Sequence, residues 1–198
     1  MAYHTYKTEG IVLSIKESGE ASSYITVFTK ELGLIKANVQ GTRLLKSKLK
    51  YAIQKYNVSK MSFVYGKSNW KLTGAVPLYN IYYELKDSKQ KLEIVANTFS
   101  LLLKLLAGED KNEELFNLIS GGIDFIKTNN LSKEEISYFE FLFVLRILSN
   151  LGYISTSNKL ESLAFGSGWN SEIVKELSEY KKEAVEAINR ALLESQLY

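Results

Sequence analysis

The chain has 198 residues, 45% of them hydrophobic and 24% charged, a composition that excludes global disorder and suits one large domain or two modest ones. It has no cysteine, which excludes disulfides, thiolate nucleophiles and cysteine-based zinc sites. Residues 1–83 carry twelve Lys or Arg against four Glu, a balance of +8, while residues 84–198 carry thirteen basic against eighteen acidic side chains, a balance of −5; a split of this kind points to two surfaces with two kinds of partner.

From residue 8 to residue 83 the apolar residues come in short runs rich in β-branched and aromatic types. Residues 10–16, 23–29, 34–40, 57–65 and 70–76 are five predicted strands. Lys30-Glu31-Leu32-Gly33 is a short connection ending in glycine, so the second and third strands should form a hairpin. Residues 41–56 place Leu45, Leu49, Ala52 and Ile53 at a spacing that predicts a helical turn or two. Three strands, a short helix and two strands is the order of a five-stranded OB-fold β-barrel. An SH3-like barrel fits the strands too, but accounts less well for the helix.

After Pro77 the pattern turns helical. Leu92, Val95, Phe99, Leu102 and Leu106 form one stripe that stops at Gly108, and Leu115, Ile119, Ile123 and Ile126 form a second. Ser132-Lys133-Glu134-Glu135 is a capping box opening a third helix that runs through Phe139, Leu142, Phe143 and Ile147 to Gly152. Asn170 or Ser171 caps a fourth, and residues 180–193 read as an amphipathic last helix. Residues 155–168 read as a long polar loop. The fold class is therefore α+β: a barrel over 1–80 followed by an all-helical domain over 81–198.

Residues 41–50 place four cations, Arg43, Lys46, Lys48 and Lys50, within eight positions. Alone, such a run reads as a solvated helix face. Inside a basic barrel it reads as a set of phosphate contacts, with Lys36 and Lys7 as further ones. Tyr51 and Trp70 are the aromatic candidates for stacking on bases. His4 reads as a surface residue, and the acidic run 109–114 as helix capping rather than a metal site. The sequence holds no phosphate-binding loop and no zinc-protease motif. Gly166-Ser167-Gly168 echoes a nucleophile elbow but has no histidine downstream. No catalytic constellation, metal site or cofactor is expected. The N-terminus lacks an apolar signal region and the longest apolar stretch, 141–148, is too short to span a bilayer, so a cytoplasmic protein without membrane partners is expected.

Thr8-Glu9-Gly10-Ile11-Val12-Leu13, then Gly19-Glu20-Ala21-Ser22-Ser23-Tyr24 leading into Val27-Phe28-Thr29-Lys30-Glu31-Leu32-Gly33, and then Val39-Gln40-Gly41-Thr42-Arg43 with Lys46-Ser47-Lys48-Leu49, resemble in order and spacing the opening of the RecO family of recombination mediators. Leu151-Gly152-Tyr153 resembles the end of the helix that precedes the zinc module of many members. Residues 154–169 contain neither cysteine nor histidine, so that module is missing. The resemblance implies an OB-fold domain followed by a helical domain. It also implies a non-enzymatic DNA repair and recombination mediator that binds single- and double-stranded DNA, anneals complementary strands, engages RecR and the C-terminal tail of single-strand-binding protein, and helps load RecA. An apolar groove beside a cation would receive such a tail; Arg146 is a candidate, with a structural salt bridge as the competing role. An RNA-binding OB-fold protein and a structural adaptor for an acidic protein are the alternative readings.

Overall fold

The computed structural model describes residues 4–18, 22–40, 49–154, 159–166 and 168–195. They fall into two compact units, one made of Met1–Asp87 with Leu101–Glu113, the other of Ser88–Ser100 with Glu114–Tyr198. The expected single cut at residue 80 is replaced by a chain that leaves the first unit, returns to it over 101–113, and leaves again.

The first unit is a closed five-stranded barrel in the order β1-β2-β3-β5-β4, formed by β1 (Thr5–Ser18), β2 (Ser22–Thr29), β3 (Gly33–Gln40), β4 (Asn57–Tyr65) and β5 (Trp70–Asn80). This is the OB-fold topology. Closure depends on β1, which pairs with β4 through residues 5–11 and with β2 through residues 10–18. Its register shifts between Val12 and Ser14, and the extra residue, Leu13, is fully buried. Such a bulge bends one strand between two neighbours. Alternation does the rest: Ile25 and Val27 on β2 and Ile35, Ala37 and Val39 on β3 point into a core shared with Phe63 and Met61. β5 runs past Pro77, which has no N–H to donate and sits opposite Ser59 where the β4–β5 register shifts. The short helix α1 (Leu49–Ala52) covers the barrel with Ala52 and Ile53, and Ser59 Oγ donates to Ala52 O at 2.9 Å.

Gly33 turns the hairpin with φ +68, and a Cβ there would overlap the Asp110 carbonyl oxygen. Gly33→Ala should therefore lower stability by about 2 kcal/mol through backbone strain and displacement of the 108–110 segment. Thermal melting of the variant checks this; an unchanged midpoint would contradict it.

In the second unit, α3 (Lys89–Leu105) enters through its first three turns, followed by α4 (Glu113–Thr128), α5 (Lys133–Asn150), α6 (Lys159–Phe165), α7 (Ser171–Glu176), a 3-10 turn (Leu177–Tyr180) and α8 (Lys181–Glu194). A five-residue helix, α2 (Ile81–Leu85), precedes them in the first unit. α5 is apolar most of the way round and packs against α6, α7 and α8, as a central helix must. It opens on the expected capping box: Glu135 N–H donates to Ser132 Oγ, and Ser132 N–H donates to Glu135 Oε2. The Ser132 backbone N–H, helped by the Lys175 ammonium at 3.4 Å, holds the Glu135 carboxyl below the usual carboxylate range. Asn170 caps α7. The loop expected over 155–168 is corrected for residues 159–165, which form α6 because Leu160, Leu163 and Ala164 share one buried face. No helix among the described residues is long and apolar enough to cross a membrane.

Arg146, fully polar yet 1% exposed, organises this unit. Its Nε donates to Leu163 O at 2.8 Å and its Nη1 to Gly168 O at 2.6 Å, and its guanidinium lies 4.5 Å from the Trp169 ring. The salt bridge considered from sequence is replaced by carbonyl acceptors and a cation–π contact. Burial pushes its pKa down to about 10, so it remains protonated at neutral pH.

Candidate nucleic-acid interface

Strand register decides which side chains of the barrel share a surface. Lys16 on β1 faces Tyr24 on β2, Tyr24 faces Asn38 on β3, and Asn38 faces Lys71 on β5. In the next row Ser14 faces Thr26, and Thr26 faces Lys36. Directly opposed residues lie about 5 Å apart, with diagonal neighbours within reach of long side chains. The outer face of β1, β2 and β3 thus carries Lys16, Lys36 and the 44% exposed ring of Tyr24 together, with Lys71 continuing the first row.

Lys16, Tyr24 and Lys36 border a cleft of about 730 Å3, which Glu109 also lines. Its lining includes Lys16, Tyr24, Lys36, Tyr65, Trp70 and Leu103, with Asn69 from the β4–β5 connection. The β2–β3 face and the β4–β5 loop are where OB-folds hold oligonucleotides. Lys16, Lys36 and Lys71 have no ion-pair partner among the described residues, so their charge is available to phosphate.

The other cations expected from sequence are distributed differently. Arg43, Lys46 and Lys48 lie outside the described residues. Lys50 and Tyr51 sit on α1, both exposed, Tyr51 at 67%, and neither lines the 730 Å3 cleft. Lys7 faces Ser62 on β4 and borders a second cleft of about 530 Å3, together with Lys30, Lys60, Glu9 and Glu31. Two carboxylates line that second cleft, where the first has one, Glu109, and Lys30 in the second is bound to Glu113 at 3.2 Å. Glu113 also meets Lys111 at 3.4 Å, and Lys111 meets Glu31 at 2.7 Å. These partners hold the Glu113 carboxyl below its ordinary range and raise the Lys111 ammonium. Glu113 therefore does more than the helix capping expected of the acidic run: it ties the 101–113 segment to the β2–β3 hairpin.

Trp70 corrects an expectation. It is only 6% exposed, held edge-on by Tyr65 at 5.0 Å and Tyr6 at 5.2 Å, with Phe63 at 6.4 Å. Its position explains this: it pairs with Ala37 on β3 and Tyr65 on β4, where the barrel closes, so its ring fills the core and stacking surface passes to its exposed neighbours. Tyr65, at 46% exposure, supplies it. Lys16, Tyr24, Tyr65 and Lys71 were not singled out from sequence, although the outward phase of β1 and β2 relative to Lys36 carries that signal for the first two.

The helical unit has a cleft of its own, about 440 Å3, lined by Glu114, Leu118, Arg146, Asn150, Phe165 and Gly166 among others. Phe165 is exposed, and Nη2 of Arg146 has no hydrogen-bond partner among the described residues. Among the described residues no three His, Asp or Glu side chains are grouped so as to hold a metal ion.

Residues 1–78 match the family described as Recombination protein O N terminal. The chain is similar to the DNA repair protein RecO of Alkaliphilus metalliredigens, 30% identical over 130 residues that make up 66% of this chain and 52% of that protein. It is similar to the DNA repair protein RecO of Caldanaerobacter subterraneus subsp. tengcongensis, 25% identical over 199 residues, 97% of this chain and 78% of that one. With the DNA repair protein RecO of Gloeothece citriformis it shares 34% identity over 116 residues, 59% of this chain and 41% of the relative. The first of these matches thus spans about half the relative's length.

Proposed function

This chain belongs to the RecO family, and from that premise we propose that it is a non-enzymatic mediator of DNA repair and recombination. In this reading the barrel binds single- and double-stranded DNA and anneals complementary strands, and together with RecR the protein helps load RecA onto strands coated by single-strand-binding protein. The observation that best supports it is the β-register that gathers Lys16 and Lys36 around Tyr24 on the cleft face of an OB-fold, with Lys71 continuing the strand row outside the cleft lining. Annealing requires no covalent chemistry. Two polyanions approach when their charge is neutralised, and the bases pair if the protein holds the strands loosely enough.

The helical unit is proposed to receive the acidic tail of single-strand-binding protein. Its cleft, lined also by Glu114, offers apolar surface at Leu118 and Phe165 beside the Arg146 guanidinium, whose buried Nη2 has no hydrogen-bond partner among the described residues, a combination proposed to suit a peptide carrying both a carboxylate and an apolar residue.

The test is strand annealing. Complementary oligonucleotides mixed with the purified chain, without nucleotide or divalent metal, should pair faster than alone, and the acceleration should fade as salt rises. An unchanged annealing rate would contradict the reading. Binding to RNA well above DNA would favour an RNA-handling protein, and binding to neither would leave the adaptor reading.

A further inference from the structure

Among the described residues, Glu109 is the one carboxylate that lines the barrel cleft, beside Lys16 and Lys36. It comes from the 101–113 segment, which returns to the barrel unit and contributes Leu103, Leu106, Ala107 and Gly108 to the same wall. Contacts with the β2–β3 hairpin fix its place. The Leu34 N–H donates to Gly108 O at 3.3 Å, and Gly33 lies so close to Asp110 that a Cβ would overlap its carbonyl oxygen. Lys36 stands two residues beyond Leu34 on the same face of β3, about 7 Å along the strand. Glu109 thus shares the cleft with both lysines, yet forms no ion pair among the described residues. Helix capping does not account for it. α4 begins only at Glu113, and the pull of a helix N-terminus is confined to its first turn.

We propose that Glu109 is a counter-charge that weakens the hold of the cleft on phosphate, and on duplex more than on a single strand, so that annealed product is released. The proposal rests on the annealing reading above and assigns a role to one residue of that site. Lys16 and Lys36 attract any polyanion, and duplex is the denser one, with about one charge per 1.7 Å of its axis. Cations alone would therefore favour the product over the strands that form it. A fixed carboxylate repels both, and repels most the ligand that brings more phosphates within its range. That range matches the site. A space of about 730 Å3 equals a sphere about 11 Å across, and the Debye length at 0.1 M salt is about 10 Å. Phosphates inside the cleft feel Glu109, and those well outside it are largely screened.

The full chain tests this through Glu109→Gln, Glu109→Asp and Asp110→Asn, with a single strand and a duplex of equal length as probes. Glu109 is exposed and its side chain makes no hydrogen bond or ion pair among the described residues, so replacing it leaves the fold intact. In dilute salt Glu109→Gln should bind the single strand on the order of fivefold tighter than wild type, from the loss of one like charge at cleft distance. The gain should be larger for the duplex, and both gains should vanish as salt approaches about 1 M. With DNA in excess over protein, this variant should anneal more slowly than wild type, because product leaves more slowly. Glu109→Asp keeps the charge and should behave as wild type. Asp110→Asn, which removes a carboxylate outside the cleft lining, should gain less.

Unchanged affinity in Glu109→Gln, an equal gain from Asp110→Asn, or a gain indifferent to salt overturns the proposal. So does a single-strand gain as large as the duplex gain, or annealing that is no slower. None of these results bears on phosphate binding by the wild type, which is measured separately. If the wild type binds no oligonucleotide, the nucleic-acid reading of the barrel fails and this proposal fails with it.

Discussion

Trp169→Ala is expected to destabilise the helical unit by about 3 kcal/mol, the lower end of the range for removing a large aromatic side chain from a packed site. Trp169 is partly exposed, which keeps the value at that end. Its ring stands 5.1 Å from Phe139, 5.4 Å from Phe143 and 6.4 Å from Phe125, and its Nε1–H donates to Leu118 O at 3.2 Å. It also stands against Arg146, whose two carbonyl bonds hold Leu163 on α6 and Gly168 in the following turn. One aromatic ring and one guanidinium therefore fasten a short helix and a glycine-containing segment to α4 and α5.

Arg146→Met relieves the cost of burying a charge but leaves two carbonyls without donors, and should cost about 2 kcal/mol. Because the two side chains touch, the double variant should lose about 1 kcal/mol less than the sum of the single losses. Trp169→Phe, which keeps aromatic packing and removes the N–H bond, should cost about 1 kcal/mol. Urea unfolding followed by circular dichroism measures all four. Wild-type stability in Trp169→Ala would mean that the segment is held by other contacts.

The largest functional effect is expected from replacing Lys16, Lys36 and Lys71 together by Gln. If each contacts one phosphate, the plot of log affinity against log salt for a single strand should flatten by about two units, at roughly 0.7 per contact. Relative to binding extrapolated to molar salt, that corresponds to a loss of roughly a hundredfold at 0.1 M. All three side chains are exposed on strands whose inward neighbours carry the core, so melting should stay close to wild type. The Gln variant of Arg43, Lys46 and Lys48, the set favoured from sequence, should flatten the slope by a similar amount if that segment also touches phosphate. A flat response to one triple variant and a steep response to the other assigns the DNA path along the barrel. An unchanged slope in both would place the DNA elsewhere.

The barrel was readable in the sequence because its signals are local. Alternation at Ile25, Val27, Ile35, Ala37 and Val39 and the glycine turn at Gly33 set the hairpin, and both survive in the structure. The β1 bulge at Leu13 was not readable, since a buried extra residue in an apolar run looks like any other apolar residue. α6 was hidden by the polar and glycine-rich residues around it; its buried face is only Leu160, Leu163 and Ala164, too short a stripe to show a period.

The site divided along the same line. A dense cationic run at 43–50 is conspicuous in one dimension, whereas Lys16, Tyr24, Lys36 and Lys71 are scattered through the sequence and meet only through cross-strand register. Sequence alone does not say which aromatic residues of the barrel face outwards; the parallel pairing of β3 with β5 places Trp70 at the barrel's seam and buries its ring.

The most direct test of DNA binding by the barrel is the affinity of the unmodified chain for a single-stranded oligonucleotide, followed across a range of salt concentrations. Binding should weaken steadily, with log affinity falling against log salt by about two units or more per decade if three or more phosphate contacts are made. Absence of binding at low salt, or an affinity indifferent to salt, would contradict it.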